Sequence, residues 1–322
     1  MSLPHPFDRT QDALAVARAR SGTQTLDELK ADFKAAHAAG KLAFRCVPRS
    51  GTQERQSSFL RELDDRAANP FAIRQGSAPL CGPAAFLYCA AKSYPEVYQR
   101  YVLELAIHGH ARLGKLNVSP SQTCRDATPA ASSISPVDWV ALASLRDSTN
   151  AAFRMNGPES SIAGITLPNS MRGWFEKSGL FSQVEDHTSL MSGMTVHDLL
   201  LADRKHRLGF HVCMLVRASV LGHVGGELGT KIGRDTPKTV AFTPDHWVVQ
   251  ASPVYVEYKR TPPPLESILG QPGLDPMDLP LSFSTHSWGY RDKPLAIDSR
   301  VNPMSPRKLL PYFYGFVSAK PA

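Results

Sequence analysis

Arg74-Gln75-Gly76-Ser77-Ala78-Pro79-Leu80-Cys81-Gly82-Pro83-Ala84-Ala85-Phe86-Leu87-Tyr88 passes from a turn of small residues into a strongly helical run. Pro79 stands near the helix start, which puts Cys81 at or near the first turn. The unpaired N–H groups and the positive dipole end of a helix favour a thiolate there. Gly82 beside the sulfur is expected to leave room for a substrate. Gln75 lies six residues upstream, across a turn, placed to aim its side-chain amide at the same point. A main-chain N–H beside Cys81 would supply the second donor of an oxyanion hole.

Helical patterns surround this stretch. Thr25 and Glu28 form a capping box, and Gly40 stops the segment 26–39. Ala13, Leu14, Val16 and Ala17 give an earlier short stripe. Residues 46–57 read as a polar connector, and 59–67 as a short helix that stops before Asn69-Pro70. Ser93 and Glu96, with Pro95 between them, read as a second capping box. The stripe Val97, Tyr98, Tyr101, Val102, Leu105 follows and Gly109 closes it. Ser135-Pro136-Val137-Asp138 opens a helix carrying Trp139, Val140 and Leu142. Met171, Trp174 and Phe175 share another, ended by Gly179. Thr195 and Asp198 cap the segment 196–207.

After Leu208 the period changes. Residues 210–216 and 247–249 are apolar, β-prone runs. Val254, Val256 and Tyr258 alternate with Tyr255 and Glu257, Leu281 and Phe283 with Ser282 and Ser284, and 312–317 is a final aromatic run. A Gly-rich loop (222–233) and a Pro-rich loop (261–280) interrupt them. Helices first and strands second predict an α+β fold with one antiparallel sheet. The expected division is a helical N-terminal extension, 1–70, and a main domain, 71–322.

A thiolate needs a base, usually His. Of the 11 histidines, His246 in Pro244-Asp245-His246-Trp247-Val248-Val249 is placed best. It leads a β-prone run out of a loop, which fixes the ring and leaves an edge open. A third element is Phe283-Ser284-Thr285-His286-Ser287-Trp288-Gly289, a strand running into a Ser-Trp-Gly turn.

These blocks resemble the papain-like cysteine peptidases. Gln-Gly-Ser followed four residues later by Cys at a helix start matches the papain pattern, and the order Gln, Cys, His, Ser-Trp-Gly is preserved. The resemblance implies that Gln75 is the oxyanion glutamine, Cys81 the nucleophile and His246 the base. His286 stands where the family has its orienting Asn, and Ser252, Ser284, Asp245 or no third member are the alternatives. Leu80 and Gly82-Pro83-Ala84 replace the usual Cys and Trp neighbours of the nucleophile. The Pro-Leu-Cys-Gly-Pro-Ala-Ala-Phe block and the His-Trp-Val-Val strand also look like papain-like domains of bacterial effector toxins, including type VI secretion cargo. That likeness implies an antibacterial hydrolase cutting a peptide or amide bond through a thioester. It further implies a protein or peptide substrate, a cognate immunity protein or secretion adaptor as partner, and export from the cytoplasm without a cleaved signal peptide. A deamidase or transglutaminase would use the same Cys–His chemistry, and a non-catalytic module would keep only the fold.

Composition sets the outer bounds. The 322 residues are 42% hydrophobic and 20% charged, enough for a sizeable core. No apolar run of membrane-spanning length occurs, and the first residues lack the charged and apolar regions of a Sec-type signal. Cys46, Cys81, Cys89, Cys124 and Cys213 are irregularly spaced and make no C-x-x-C pair, which disfavours a disulfide framework or a zinc site. Cys89 reads as a buried residue, and Cys46, Cys124 and Cys213 show no partner. The formal charge of +7 comes from scattered Lys and Arg, without a nucleic-acid-binding signature. His108-Gly109-His110 lacks a third ligand. Gly226-Glu227-Leu228-Gly229-Thr230-Lys231 has the wrong order for a phosphate loop, and G-x-S-x-G, H-E-x-x-H and G-x-G-x-x-G are absent. No metal or cofactor is expected.

Overall fold

The structure is a computed structural model. It describes residues 24–47, 53–130, 133–149, 166–190, 193–218, 221, 245–257, 262–269, 271–287, 295–297 and 304–322. The stripe at residues 13–17, the Gly-rich loop at 222–233, Tyr258, and Trp288 with Gly289 lie outside the described residues.

The fold is α+β with an antiparallel sheet. Ten α-helices are described: α1 (Leu26–Ala38), α2 (Gln53–Ala68), α3 (Cys81–Ser93), α4 (Pro95–His108), α5 (Gln122–Asp126), α6 (Pro136–Asp138), α7 (Ser144–Thr149), α8 (Pro168–Ser178), α9 (Val196–Arg207) and α10 (Pro306–Leu309). A π-helical turn, Trp139–Ala143, joins α6 to α7. The hairpin β1 (Ala111–Leu113) and β2 (Leu116–Val118) stands apart. The main sheet is built from β3 (Phe181–Asp186), β4 (His211–Val216), β5 (His246–Gln250), β6 (Tyr255–Val256), β7 (Leu281–His286), β8 (Leu295–Ile297) and β9 (Phe313–Pro321). Its order is β3-β9-β4-β5-β7-β6, with β8 also on β7, and the neighbouring strands pair antiparallel.

Both faces of this sheet are covered, which is why β4 and β5 read as unbroken apolar runs rather than alternating ones. Cys213, Leu215, Trp247, Val249 and Val317 face a core shared with the helices α1 to α4. Val212, Met214, Val216, Val248 and Phe316 face a second core with Leu199 and Leu200 of α9 and with Leu265 and Ile268 of the Pro-rich segment. The helix α3 lies at the centre of the first core, with every residue from Cys81 to Ala91 buried. Small and apolar residues all round are what such a central helix requires.

Several local expectations hold with their cause. The Thr25–Glu28 and Thr195–Asp198 capping boxes are formed. Gly109 and Gly179 end α4 and α8 at positive φ, +74° and +63°, where glycine carries no steric penalty. Others change. Helix α2 begins at Gln53, earlier than the polar connector suggested, because its polar residues are helix formers. Tyr94, not Ser93, is the N-cap of α4, and it makes no side-chain cap bond. Pro95 occupies the first turn, so the Ser93–Glu96 spacing is one residue out of register. Ser93 Oγ instead lies 2.7 Å from His211 Nε2. The order is also less segregated than helices followed by strands, since β1, β2 and β3 precede α9. Nor do the described residues before 71 form a core of their own: Leu29, Phe33, Phe59 and Leu63 join the core that holds Cys81 and Tyr88.

Candidate active site

Cys81 is the first residue of α3. A tight turn delivers the chain there: Ala78 N–H donates to Gln75 C=O at 3.1 Å and Leu80 N–H to Ala78 C=O at 2.8 Å. Within that turn Gly76 has φ +58° and lies so close to Ser133 that an added Cβ would meet its carbonyl oxygen at 1.5 Å. Only glycine fits. Gln75 is buried, and a cavity of about 700 Å³ opens beside Gly76, lined in part by Glu62, Asp65, Arg66 and Arg74.

From α3 the Cys81 sulfur reaches the start of β5. Cys81 Sγ is 4.0 Å from the Asp245 carbonyl oxygen, and the main-chain N–H groups of Trp247 and Gly82 act on the sulfur. The thiol therefore meets the main chain on either side of His246. Burial pushes its pKa up; the Trp247 and Gly82 N–H groups and the Arg146 guanidinium pull the other way without prevailing. The helix terminus alone was expected to favour a thiolate, but complete desolvation outweighs it.

His246 opens β5 and is buried, with Nε2 2.8 Å from Ser287 Oγ. Burial, then the neighbouring His286, brings its pKa down to about 3. The resting pair is therefore a neutral thiol and a neutral imidazole, and the thiol's hydrogen-bond contact is the Asp245 carbonyl.

His286, the family-position candidate for orienting the base, sits elsewhere. Its ring stacks on Tyr88 of α3, centroids 4.4 Å apart and planes 13° off parallel, with Phe71 at 5.9 Å. Neither ring nitrogen has a hydrogen-bond partner among the described residues, and burial lowers its pKa to about 3. Ser287, one residue later, is instead hydrogen-bonded with His246 Nε2. Of the alternatives, Ser252 Oγ accepts from Ser284 N–H at 2.8 Å, and Asp245 Oδ1 from Ala218 N–H.

The space expected beside Gly82 is filled. A Cβ there would lie 2.1 Å from Thr166 Oγ1. Thr166 ties three elements together: its Oγ1 accepts from Arg146 Nη1 at 2.9 Å, and its carbonyl from Trp247 Nε1 at 2.7 Å. Arg146 thus brings a buried positive charge to the Cys81 region. It was not singled out from the sequence; the signal was a charged residue following the apolar run 139–145.

Among the described residues no group of three or more His, Cys, Asp or Glu is placed to hold a metal, and no helix is long and apolar enough to cross a membrane. No family profile, curated protein or solved structure matches the chain.

Proposed function

We propose that the chain is a papain-like cysteine hydrolase that cleaves a peptide or amide bond. One observation carries the reading: the Cys81 sulfur, at the start of a buried helix, rests against the main chain flanking His246, whose Nε2 is held by Ser287. Residues 164 apart in sequence for the first contact and 41 apart for the second meet at one strand end.

In this mechanism Ser287 holds Nε2, and the His246 ring takes the Cys81 proton as the sulfur attacks the carbonyl carbon. The substrate C=O π bond opens to give a tetrahedral oxyanion, which a main-chain N–H beside Cys81 and the Gln75 amide stabilise. The imidazolium then protonates the leaving amine. Water, deprotonated by His246, releases the acid from the thioester. Arg146 favours the developing negative charge. Because both groups rest neutral, the reaction begins with proton transfer in the attack step rather than with a standing ion pair. The biological role that accompanies this chemistry is that of an antibacterial effector acting on a protein or peptide, with an immunity protein or adaptor as partner. The sequence resemblance supports that role.

The test is growth of a bacterial host expressing wild type, Cys81→Ala or His246→Ala at equal levels, in cytoplasm and in periplasm. Killing that both substitutions abolish supports the hydrolase, and the permissive compartment narrows the substrate. Equal killing by all three contradicts it. A target that gains about one mass unit without chain cleavage points to deamidation by the same residues. A second reading, a binding module that kept the fold, draws support from the burial of Cys81 and its raised pKa.

A further inference from the structure

Away from Cys81 and His246, two other cysteines meet inside the molecule. Cys89, two turns further along α3, has its Sγ 3.8 Å from Cys213 Sγ on β4, although 124 residues separate them. Both are free thiols with no exposed surface. A third group completes the cluster. His211, two residues before Cys213 on β4, favours the Cys89 thiolate, and its Nε2 is fixed by Ser93 Oγ at 2.7 Å.

We propose that Cys89 and Cys213 are an oxidation site, a dithiol that a small hydroperoxide closes into a disulfide tying α3 to β4. The proposal does not depend on the hydrolase reading. The chemistry favours Cys89 as the attacking sulfur. Burial opposes its ionisation, but the hydrogen bond with Cys213, the neighbouring His211 and the charge of Lys92 more than offset this, whereas burial and Cys89 itself push Cys213 up. One thiolate beside one thiol is the arrangement that thiol oxidation requires. Tyr88 and His206 are the other titratable groups around the cluster.

The steps balance. The Cys89 sulfur attacks one oxygen of hydrogen peroxide; the O–O bond breaks and the leaving hydroxide, with the thiol proton, becomes water. Cys89 is then a sulfenic acid. Cys213 sulfur attacks the Cys89 sulfur, the S–O bond breaks, and a second water leaves with the Cys213 proton. Two hydrogens are lost from the protein and the peroxide is reduced. The sulfurs must approach from 3.8 Å to about 2.05 Å, a movement of the scale that side-chain rotation supplies. The bond would tie the helix that starts at Cys81 to β4, the strand next to the His246 strand.

The test uses the full chain under native conditions. The protein is treated with hydrogen peroxide, unfolded in alkylating reagent, digested and mapped by mass spectrometry. The expected product is a cross-linked Cys89–Cys213 peptide, two hydrogens lighter, with Cys124 still alkylated and the link reversed by dithiothreitol. The oxidised chain should unfold at a temperature several degrees higher, since the bond closes a long loop, and Cys213→Ala should not show the rise. Sulfinic acid on Cys89 without a link, a link through another cysteine, or both thiols intact overturns the proposal. The mapping on wild type stands even if a variant misfolds.

Discussion

Ser287 Oγ lies 2.8 Å from Nε2 of His246, one residue beyond the position that the papain-like pattern reserves for the orienting group. A hydroxyl on the following residue turns to the opposite side of an extended chain. That difference lets His286 point into the helical core, against Tyr88, while Ser287 takes the contact with His246.

If Ser287 fixes the ring, Ser287→Ala should lower kcat with little change in KM. A lost hydrogen bond of about 1 kcal/mol corresponds to roughly fivefold. Ser287→Thr should restore most of it. Steady-state kinetics on any cleaved amide decide, and an unchanged kcat would remove Ser287 from the mechanism.

The two buried histidines also set a pH dependence. Each has a folded pKa of about 3, below the unfolded value of about 6.5. Below that unfolded value the denatured chain takes up protons that the native chain refuses. Stability should therefore be intact above about pH 6.5 and fall as pH drops towards 3, by roughly 1.4 kcal/mol per pH unit for each histidine. His286→Phe keeps the ring stack on Tyr88 and removes one such group. Urea midpoints for it should change less between pH 7 and pH 5 than those of wild type.

Gly82→Ala places a methyl where Thr166 now sits, 2.1 Å from its hydroxyl. Thr166 is bonded to Arg146 and Trp247, so it cannot simply swing away. A loss of about 1–3 kcal/mol is expected from overpacking, read by thermal or urea unfolding.

On the helical side, Arg66 donates from Nε and Nη2 to the Asp138 carboxylate at 2.8 and 2.7 Å, with both side chains nearly sealed from solvent. Asp138→Ala removes the bidentate carboxylate of a buried guanidinium, leaving it Glu62 and Ser135, and should cost about 3 kcal/mol. The double variant Arg66→Met, Asp138→Leu should recover most of that loss in the same unfolding assay.

Elements whose signals are local were legible in the sequence. Thr195 and Asp198 cap their helix, and His246 opens its strand, because both depend on residues a few positions apart. The Ser93–Glu96 box failed because Pro95 shifted the register by one residue and His211, 118 positions away, claimed the serine. Cys213 had no visible partner for the same reason: its neighbour lies on the other layer of the fold. Cys81 was legible as a helix-start thiol, yet its raised pKa was not, since burial is a property of the packed molecule. Arg146 and Thr166 carry no motif, and only the approach of α7 and β5 brings them to the site.

The most direct test of the central claim is the rate of iodoacetamide alkylation at each cysteine of the native chain, mapped by mass spectrometry at pH 6 to 8. A Cys81 served by His246 should react ahead of Cys46 and Cys124, both held up by burial, once transient opening admits the reagent. His246→Ala should slow Cys81 at least tenfold at pH 6 and leave the others unchanged. A Cys81 that reacts no faster than Cys124, or at the same rate without His246, would contradict the Cys81–His246 pairing.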